Sequence, residues 1–293
     1  MFSDVTSSSR PASASKRTDY LERADFGPPA FYWSLAALTE QQLGRRRWRV
    51  SGFAFRLDQR LDPRALRSRF SEKKRLHIKD FLQRSDAERL YQSLRMRDDW
   101  RLVVNQKEKL FELDRSAQAM LTPDSRAALE RAAHASARYD FQFLFETIRV
   151  PDDEAERRAR PSELNRFASF MSSPEVIDLL RHVTGCDDID FADAQATAYS
   201  PGHFLTVHDD DVAGKHRHAA YVLNLSPAWR PDWGGLLAFH RADEDMVVAF
   251  PPSFNALNIF SVPQPHSVTM VAPFAAARRY SVTGWLRSRS ASP

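Results

Sequence analysis

The chain has 293 residues, of which 43% are hydrophobic, and its formal net charge is +4. This composition allows one large domain or two small ones with a buried core, and the mild positive charge permits nucleic-acid contact without requiring it. The single cysteine, Cys186, excludes an internal disulfide and a thiolate-rich metal cage, and no apolar run approaches the roughly 18 to 20 residues of a membrane span. We expect a soluble, cytoplasmic protein.

The N-terminal region differs in composition from the rest of the chain. Residues 1–27 are rich in Ser, Arg and Pro and poor in large apolar residues, which predicts a disordered tail. Residues 28–59 contain apolar clusters and the arginine-rich stretch GRRRWRV without a sustained period, so they are an extension to which no role is assigned. The domain is predicted to span residues 60–288, with a short C-terminal tail at 289–293.

The first half of the domain has helical patterns. RLHIKDFL contains a short strand around Leu76 and Ile78. Ser85 and Glu88 then have the spacing of a capping box, followed by apolar residues at helical spacing. A second helix is predicted from Pro123 through ARY at residues 137–139.

A change of period follows this second helix. Phe141, Phe143 and Phe145 alternate, which predicts a strand with an aromatic face. Residues 151–161, charged and bounded by prolines, are predicted to form an exposed loop. Two more helices are expected over residues 162–171 and 173–185, the latter with Pro174 in its first turn and a glycine just beyond its end.

From Asp190 onward the pattern is that of β-structure. DFADAQATAYS alternates four alanines with polar residues and Tyr199, as expected for a strand with one packed and one polar face. Further short strands are predicted in HFLTVHD, HAAYVLNL, GGLLAFH, MVVAF, FNALNIF, HSVTMV and RRYSVTGWL. Strands this short, with no helix between them, favour an antiparallel sandwich or barrel, so the fold class is α+β with supporting N-terminal helices.

The stretch HFLTVHDDD contains a candidate metal site. On a regular strand His208 and Asp210 share one face, because they lie two residues apart, and could bind one ion together. Non-haem iron(II) oxygenases bind their metal with two histidines and one carboxylate. His266, at the start of a later strand, is the candidate third ligand. His203 is expected on the opposite strand face, whereas His216 and His218 either are solvated or line a substrate entrance.

A later strand adds a candidate anion site. Arg279 and Ser281 lie two residues apart in RYSVTGW and should share one strand face. Inside a barrel, an arginine and a hydroxyl could hold the remote carboxylate of a dicarboxylic acid through paired donors. A buried guanidinium requires such an anion, because an unpaired buried charge is costly.

Four blocks, YSPGHFLTVHDD, NLSPAWRPDWGGLLAF, PQPHSV and RYSVTGW, resemble the successive motifs of the 2-oxoglutarate- and iron(II)-dependent oxygenases. Within that family the chain is most similar to the prolyl hydroxylase branch, which includes the ribosomal-protein prolyl hydroxylases and their bacterial relatives. The resemblance covers roughly residues 60 to 288 and implies a double-stranded β-helix, or jelly-roll, core.

The resemblance also implies roles for individual residues. The iron ligands would be His208, Asp210 and His266, and Arg279 would pair with the 5-carboxylate of 2-oxoglutarate. Tyr199 matches a family tyrosine that can reach this cosubstrate. Asn224 stands where relatives often carry a tyrosine that helps to bind the far carboxylate, and it is shorter. The implied cofactors are iron(II), 2-oxoglutarate and O2, with ascorbate as a candidate reductant.

The leading hypothesis is a dioxygenase that hydroxylates a prolyl residue of a protein, with a translation-associated target as one option. One alternative keeps the chemistry but makes the substrate a free amino acid or a small peptide. Another is a non-catalytic, basic jelly-roll that binds nucleic acid or a partner through its arginine-rich N-terminal region. Neither a membrane nor a nucleic acid is required by the leading hypothesis.

Overall fold

A sheet of thirteen antiparallel strands forms the centre of the protein in a computed structural model, which describes residues 54–240 and 247–289. Within these ranges the helices are α1 (Pro63–Lys73), α2 (Arg84–Arg95), α3 (Arg115–Met120), α4 (Pro123–Ser136), α5 (Glu154–Ala159), α6 (Glu163–Met171) and α7 (Pro174–Thr184). The strands are β1 (Arg75–Ile78), β2 (Arg101–Gln106), β3 (Lys109–Leu113), β4 (Phe143–Arg149), β5 (Phe191–Ala192), β6 (Gln195–Tyr199), β7 (Phe204–His208), β8 (Arg217–Asn224), β9 (Leu237–Phe239), β10 (Val248–Phe250), β11 (Ala256–Ser261), β12 (His266–Val268) and β13 (Arg279–Arg287).

The strand order differs greatly from the sequence order. Ten strands follow the path β1-β11-β8-β13-β6-β4-β7-β12-β9-β10, while β2 and β3 extend the sheet beside β4, and β5 pairs with β13. The two ends of the path approach each other, since the ring of His77 on β1 lies 5.3 Å from that of Phe250 on β10. The sheet therefore curls into a nearly closed barrel. The predicted α+β class with a jelly-roll core is confirmed.

Helices α1, α2, α6 and α7 pack on one face of this sheet. Their buried apolar side chains form the main core together with residues of β6, β8, β11 and β13, including Phe70, Leu90, Phe167, Leu180, Ala196, Leu223, Ile259 and Val282. Because these helices cover the outer face, the inner face of the same strands is left to line a cavity.

The predicted helices are present, but the N-cap predicted for one of them is wrong. Helix α2 buries Ala87, Leu90 and Leu94 at the predicted spacing, yet its N-cap is Gln83, without a side-chain cap hydrogen bond. Ser85 lies inside the first turn. The Glu88 carboxylate accepts a hydrogen bond from Arg84 Nε at 2.9 Å, so it is not available for a capping box.

The predicted exposed loop at residues 151–161 is wrong, because α5 forms there. The Asp153 side chain caps this helix by accepting a hydrogen bond from the Glu156 N–H at 2.8 Å. Arg157 is buried and its Nε donates to the Pro151 carbonyl at 2.6 Å. The contact of Arg157 thus stabilises a short helix, and the composition of the segment does not indicate this contact.

The predicted strands from Phe204 onward are all present as β7 to β13. DFADAQATAYS is split into β5 and β6, and Phe141 precedes β4, which begins at Phe143. The face of β6 predicted to be polar is also buried, with Thr197 and Tyr199 at 2% and 3% exposure. This face is enclosed because it lines the cavity inside the barrel.

The predicted tail (1–27), most of the predicted extension and residues 290–293 lie outside the described residues. The described part of the extension, residues 54–59, contacts the domain: the Phe55 ring lies 5.5 Å from that of Phe167, and Arg56 pairs with Asp86 at 3.2 Å. The boundary at residue 60 stays a prediction. Within residues 54–240 and 247–289, none of the helices combines the length and the apolar character that a bilayer crossing requires.

The close approach of β13 to the chain at Asp193 generates a stability prediction. A Cβ on Gly284 would press on the Asp193 carbonyl oxygen and lie 2.8 Å from Tyr221 Cε1. We expect Gly284→Ala to destabilise the fold by roughly 2–3 kcal/mol through overpacking, measured by urea unfolding. Gly214→Ala is the control, because its Cβ would meet nothing within 4 Å and only its φ of 76° is penalised, by about 1 kcal/mol. Equal costs for both variants would contradict the steric account.

Candidate active site

The pairing of β7 with β12 brings two distant histidines together. His208 is the last residue of β7 and His266 is the first residue of β12, and the two are register partners. Their ring centroids lie 4.1 Å apart. The antiparallel pairing of these two strands thus brings together two histidines that are far apart in the sequence.

Asp210 completes the group, but not from the strand that the sequence pattern predicts. Strand β7 ends at His208, and Asp210 follows in a left-handed conformation with a φ of 64°. Aspartate is one of the few non-glycine residues that tolerate this conformation. Asp210 Oδ1 lies 3.4 Å from His208 Nε2, and Asp210 Oδ2 lies 3.4 Å from His266 Nε2. The predicted grouping is present, whereas the predicted reason, strand alternation, is wrong.

The backbone fixes the orientation of both imidazoles. His208 Nδ1 lies 3.0 Å from the Thr206 carbonyl oxygen, and His266 Nδ1 lies 2.8 Å from that of Gln264. A carbonyl only accepts, so we assign the proton of each ring to Nδ1, which leaves the lone pair of each Nε2 facing Asp210. Burial lowers the pKa of His266 to about 4, so this ring is neutral at pH 7. Two nitrogen lone pairs that face a carboxylate repel it, so this arrangement is favourable only around a cation.

The three ligand atoms lie within 4.8 Å of one another. Two neutral imidazoles and one carboxylate are the donor set that non-haem iron(II) oxygenases use on one face of an octahedron. The residues present therefore fit a divalent iron ion.

Arg279 occupies a buried position in the same cavity. It begins β13, is only 1% exposed, and its guanidinium lies 5.1 Å from the centre of the Tyr199 ring. Nη1 donates to Ser281 Oγ at 3.1 Å, Nη2 donates to Asn224 Oδ1 at 3.5 Å, and Nε has no partner. Among the described residues no carboxylate pairs with it, and burial lowers the pKa of Arg279. The site therefore fits an anionic ligand, which would supply the missing partner.

The side chains around Arg279 come from neighbouring strands. Asn224 on β8 is the register partner of Ser281 on β13, and Ser281 Oγ lies 2.9 Å from Thr197 Oγ1. Asn224 Nδ2 donates to the Ala256 carbonyl at 3.1 Å, so its amide oxygen is the group turned toward Arg279. Tyr199 stacks on Phe145 at 5.2 Å, and burial raises the pKa of Tyr199 to about 12. Four predicted residues, Arg279, Ser281, Asn224 and Tyr199, are thus neighbours.

A cavity of about 420 Å³ joins the histidine–aspartate group to Arg279. Its walls include a row of aromatic rings, Phe141, Phe143 and Phe145, whose successive centroids lie 5.7 and 5.5 Å apart. Val212 and Phe141 in the lining are exposed, whereas Arg279 is buried. The cavity can therefore hold a small dianionic molecule between a metal and a guanidinium, next to an opening to solvent.

Two further residues of the site are not indicated by the sequence pattern. Arg217 stacks over Trp285 at 3.6 Å and its Nη1 donates to the Asp210 carbonyl at 2.9 Å, so it holds the turn that orients the carboxylate. Gly235 leaves room for Arg279, because a Cβ there would lie 3.0 Å from Arg279 Cδ. The contacts of Arg217 with Trp285 and of Gly235 with Arg279 join residues far apart in the chain, for which the sequence contains no periodic signal.

The remaining histidines lie outside this cavity. His203 precedes β7, is buried, and lines a different cavity from His208, so it lies on the other side of the sheet as expected, although it is not part of the strand. His218 Nε2 lies 3.1 Å from Ser288 Oγ, and neither it nor His216 is part of the cavity lining.

Residues 194–287 match the family model of the 2OG-Fe(II) oxygenase superfamily. This segment, about a third of the chain, is thus similar to that superfamily. It is 33% identical, over 127 residues, to the mouse (Mus musculus) protein named prolyl 3-hydroxylase OGFOD1, a match that covers 41% of this chain and 21% of the relative. The chain thus spans about a fifth of the length of this curated relative.

Solved structures have a similar fold. A Pseudomonas putida prolyl-4-hydroxylase superposes with a TM-score of 0.51 at 19% identity, over 78% of this chain and 99% of that one. A Trichoplax adhaerens prolyl hydroxylase, solved with a hypoxia inducible factor peptide fragment, gives 0.51 at 18% identity, over 77% and 89%. The predicted resemblance to the prolyl hydroxylase branch is confirmed.

The buried guanidinium generates a prediction about stability. In metal-free protein without an anionic ligand, we expect Arg279→Met to stabilise the fold by roughly 1–3 kcal/mol, because it replaces a desolvated, unpaired charge with an apolar side chain. Arg278→Met is the neighbouring comparison. Arg278 pairs with buried Glu146 outside the cavity, so its loss should destabilise by about 1–2 kcal/mol. Urea unfolding of both variants is the measurement, and destabilisation by Arg279→Met would contradict the unpaired charge.

The depressed pKa of His266 generates a prediction about pH. Its pKa is about 4 in the folded protein and ordinarily 6.5, so in this interval the unfolded chain binds a proton that the folded protein does not. The stability of metal-free protein should therefore fall as pH decreases from about 6.5 to 4. His266→Asn should remove part of this slope in unfolding midpoints, whereas His182→Asn, at an exposed position on α7, should keep it. An unchanged slope in His266→Asn would contradict the neutral buried imidazole.

Proposed function

We propose that this protein is an iron(II)- and 2-oxoglutarate-dependent dioxygenase that hydroxylates an unactivated C–H bond. One observation carries the proposal: a histidine–aspartate–histidine group and a buried arginine without an anionic partner line the same cavity. A zinc hydrolase would use the first feature and leave Arg279 without a purpose.

In this proposal His208, Asp210 and His266 hold the iron, and Arg279 pairs with the distal carboxylate of 2-oxoglutarate. The free Nε of Arg279 and the two contacts of its Nη atoms leave the guanidinium edge able to donate to that carboxylate. Ser281 orients the guanidinium from the same strand face, and Tyr199, whose ring centre lies 5.1 Å from that guanidinium, would contact the cosubstrate. Asn224 aligns Nη2 through its amide oxygen.

When bound, iron(II), 2-oxoglutarate and O2 together convert a C–H bond to C–OH, while 2-oxoglutarate loses CO2 and becomes succinate. The chain contributes binding, orientation and shielding. The carbonyl groups of Thr206 and Gln264 keep the imidazoles in the tautomer that presents Nε2. The rings of Phe143 and Phe145 exclude water from one wall, which strengthens the pairing of Arg279 with its anion.

For the substrate, we propose a prolyl residue of a protein or peptide. The support is the likeness to the mouse protein named as a prolyl 3-hydroxylase and to the Trichoplax enzyme solved with a peptide. The cavity also opens beside exposed Phe141 and Val212, which offer an apolar surface for a peptide segment. The proposal also includes a translation-associated target, ascorbate as a reductant and a cytoplasmic location.

The first test is succinate production from 2-oxoglutarate by anaerobically purified, iron(II)-loaded protein after oxygen is admitted. We expect His208→Ala and Arg279→Met to lower turnover by more than about 100-fold, because each removes a group that holds the metal or the cosubstrate. The matched controls His182→Ala and Arg131→Met change exposed residues outside the cavity and should retain wild-type turnover.

The outcomes separate the parts of the proposal. Turnover that survives His208→Ala and Arg279→Met would refute the assigned site, and failure to bind iron(II) would refute the dioxygenase. For the substrate, lysate proteins treated with active enzyme should gain the mass of one oxygen atom at a proline. Addition of oxygen only to free amino acids or small peptides would establish the alternative substrate class instead.

A further inference from the structure

The cavity of about 420 Å³ that contains Arg279 and the two histidines is called the catalytic cavity below. A second cavity, of about 310 Å³ and with a polar lining, lies on the other side of the sheet. It is lined by three arginines, two glutamates and a buried histidine: Arg115, Arg126, Arg278, Glu130, Glu146 and His203. None of these residues lines the catalytic cavity.

Strand alternation separates the two cavities. On β4, Phe145 faces the catalytic cavity and Glu146 faces the second one; at the start of β13, Arg279 and Arg278 divide in the same way. The two cavities are therefore back to back across a single layer of sheet.

The charges in the second cavity favour an anion. Glu146 is buried and already neutralised, because it pairs with Arg115 at 2.9 Å and with Arg278. Arg126 pairs with no carboxylate among the described residues and only donates, through Nη2, to the Gln118 carbonyl at 3.2 Å. Three guanidinium groups thus face two carboxylates, which leaves positive charge at Arg126.

His203 supplies the second, independent observation. Its side chain is buried with 7% exposure, it lines the cavity, and its Nδ1 has no hydrogen-bond partner. Burial, reinforced by the positive charge of Arg278, lowers the pKa of His203 to about 4, so the ring is neutral at pH 7. A buried polar atom without a protein partner is costly, so a ligand or water in the cavity that contacts Nδ1 would be stabilising.

We propose that this second cavity binds a small oxyanion of the size of phosphate. The guanidinium groups of Arg126 and Arg278 are suited to the oxygens of such an ion, and neutral His203 can contact it without adding charge. A cation is disfavoured by the three arginines. The proposal does not depend on the proposed dioxygenase activity, because no residue of the catalytic cavity takes part.

The test is the melting temperature of the full chain titrated with inorganic phosphate, with chloride exchanged to hold the ionic strength constant. Binding to the folded state raises the melting temperature, and the stabilisation grows as RT ln(1 + L/Kd), where L is the free phosphate concentration, so the titration gives the apparent affinity. We expect Arg126→Ala to weaken the apparent phosphate affinity about tenfold, through the loss of a charge-assisted contact. Glu130→Gln should strengthen it by about threefold, because it removes a like charge from the cavity wall.

Arg131→Ala is the matched control, since it removes an exposed arginine of the same helix α4 that does not line the cavity. It should respond to phosphate like the wild type. An equal response of Arg126→Ala and wild type would place phosphate elsewhere, for example beside Arg279, and would overturn the proposal. A response to phosphate no larger than that to chloride would also overturn it.

Discussion

A positive charge enclosed inside an apolar barrel is the constraint around which this protein is organised. The guanidinium of Arg279 is almost completely buried and has only a hydroxyl, an amide oxygen and an aromatic face as partners among the described residues. The packing around it is specific: Gly235 lacks the Cβ that would press on its Cδ. This arrangement lowers the stability of the free protein, and an anion that bound to the guanidinium would raise it again.

The histidine–aspartate–histidine group is also unsatisfied in the free protein, but it lacks a cation rather than an anion. Carbonyl oxygens hold both imidazoles so that their lone pairs converge on a carboxylate, which is unfavourable without a cation. Under the proposed function, one cavity holds a cation and an anion. Because both ligands would bind only the folded protein, their binding would be coupled to folding stability, and substitutions that abolish binding can stabilise the empty protein.

Sheet geometry explains how two polar sites can coexist in so small a fold. Adjacent residues on a strand point to opposite faces, so Arg278 and Arg279 serve different cavities although they are neighbours in the chain. The intervening layer is one backbone thick. Strand β4 lines both cavities, through Phe145 on one face and Glu146 on the other.

The sequence by itself determined the elements with strong local signals. The strands from Phe204 onward and the helices α4, α6 and α7 are predictable, since period and turn residues are properties of short segments. Motif spacing likewise indicates His208, Asp210, His266 and Arg279, but not Arg217 or Gly235. Only the tertiary structure decided the rest. Helix α5 depends on buried Arg157, Asp210 is oriented by a left-handed turn held by Arg217, and the second cavity gathers residues from several distant elements. Arg157 and Arg217 donate to carbonyl groups only six and seven residues away, and the second cavity joins distant elements, but none of these contacts has a regular spacing that a sequence pattern could reveal.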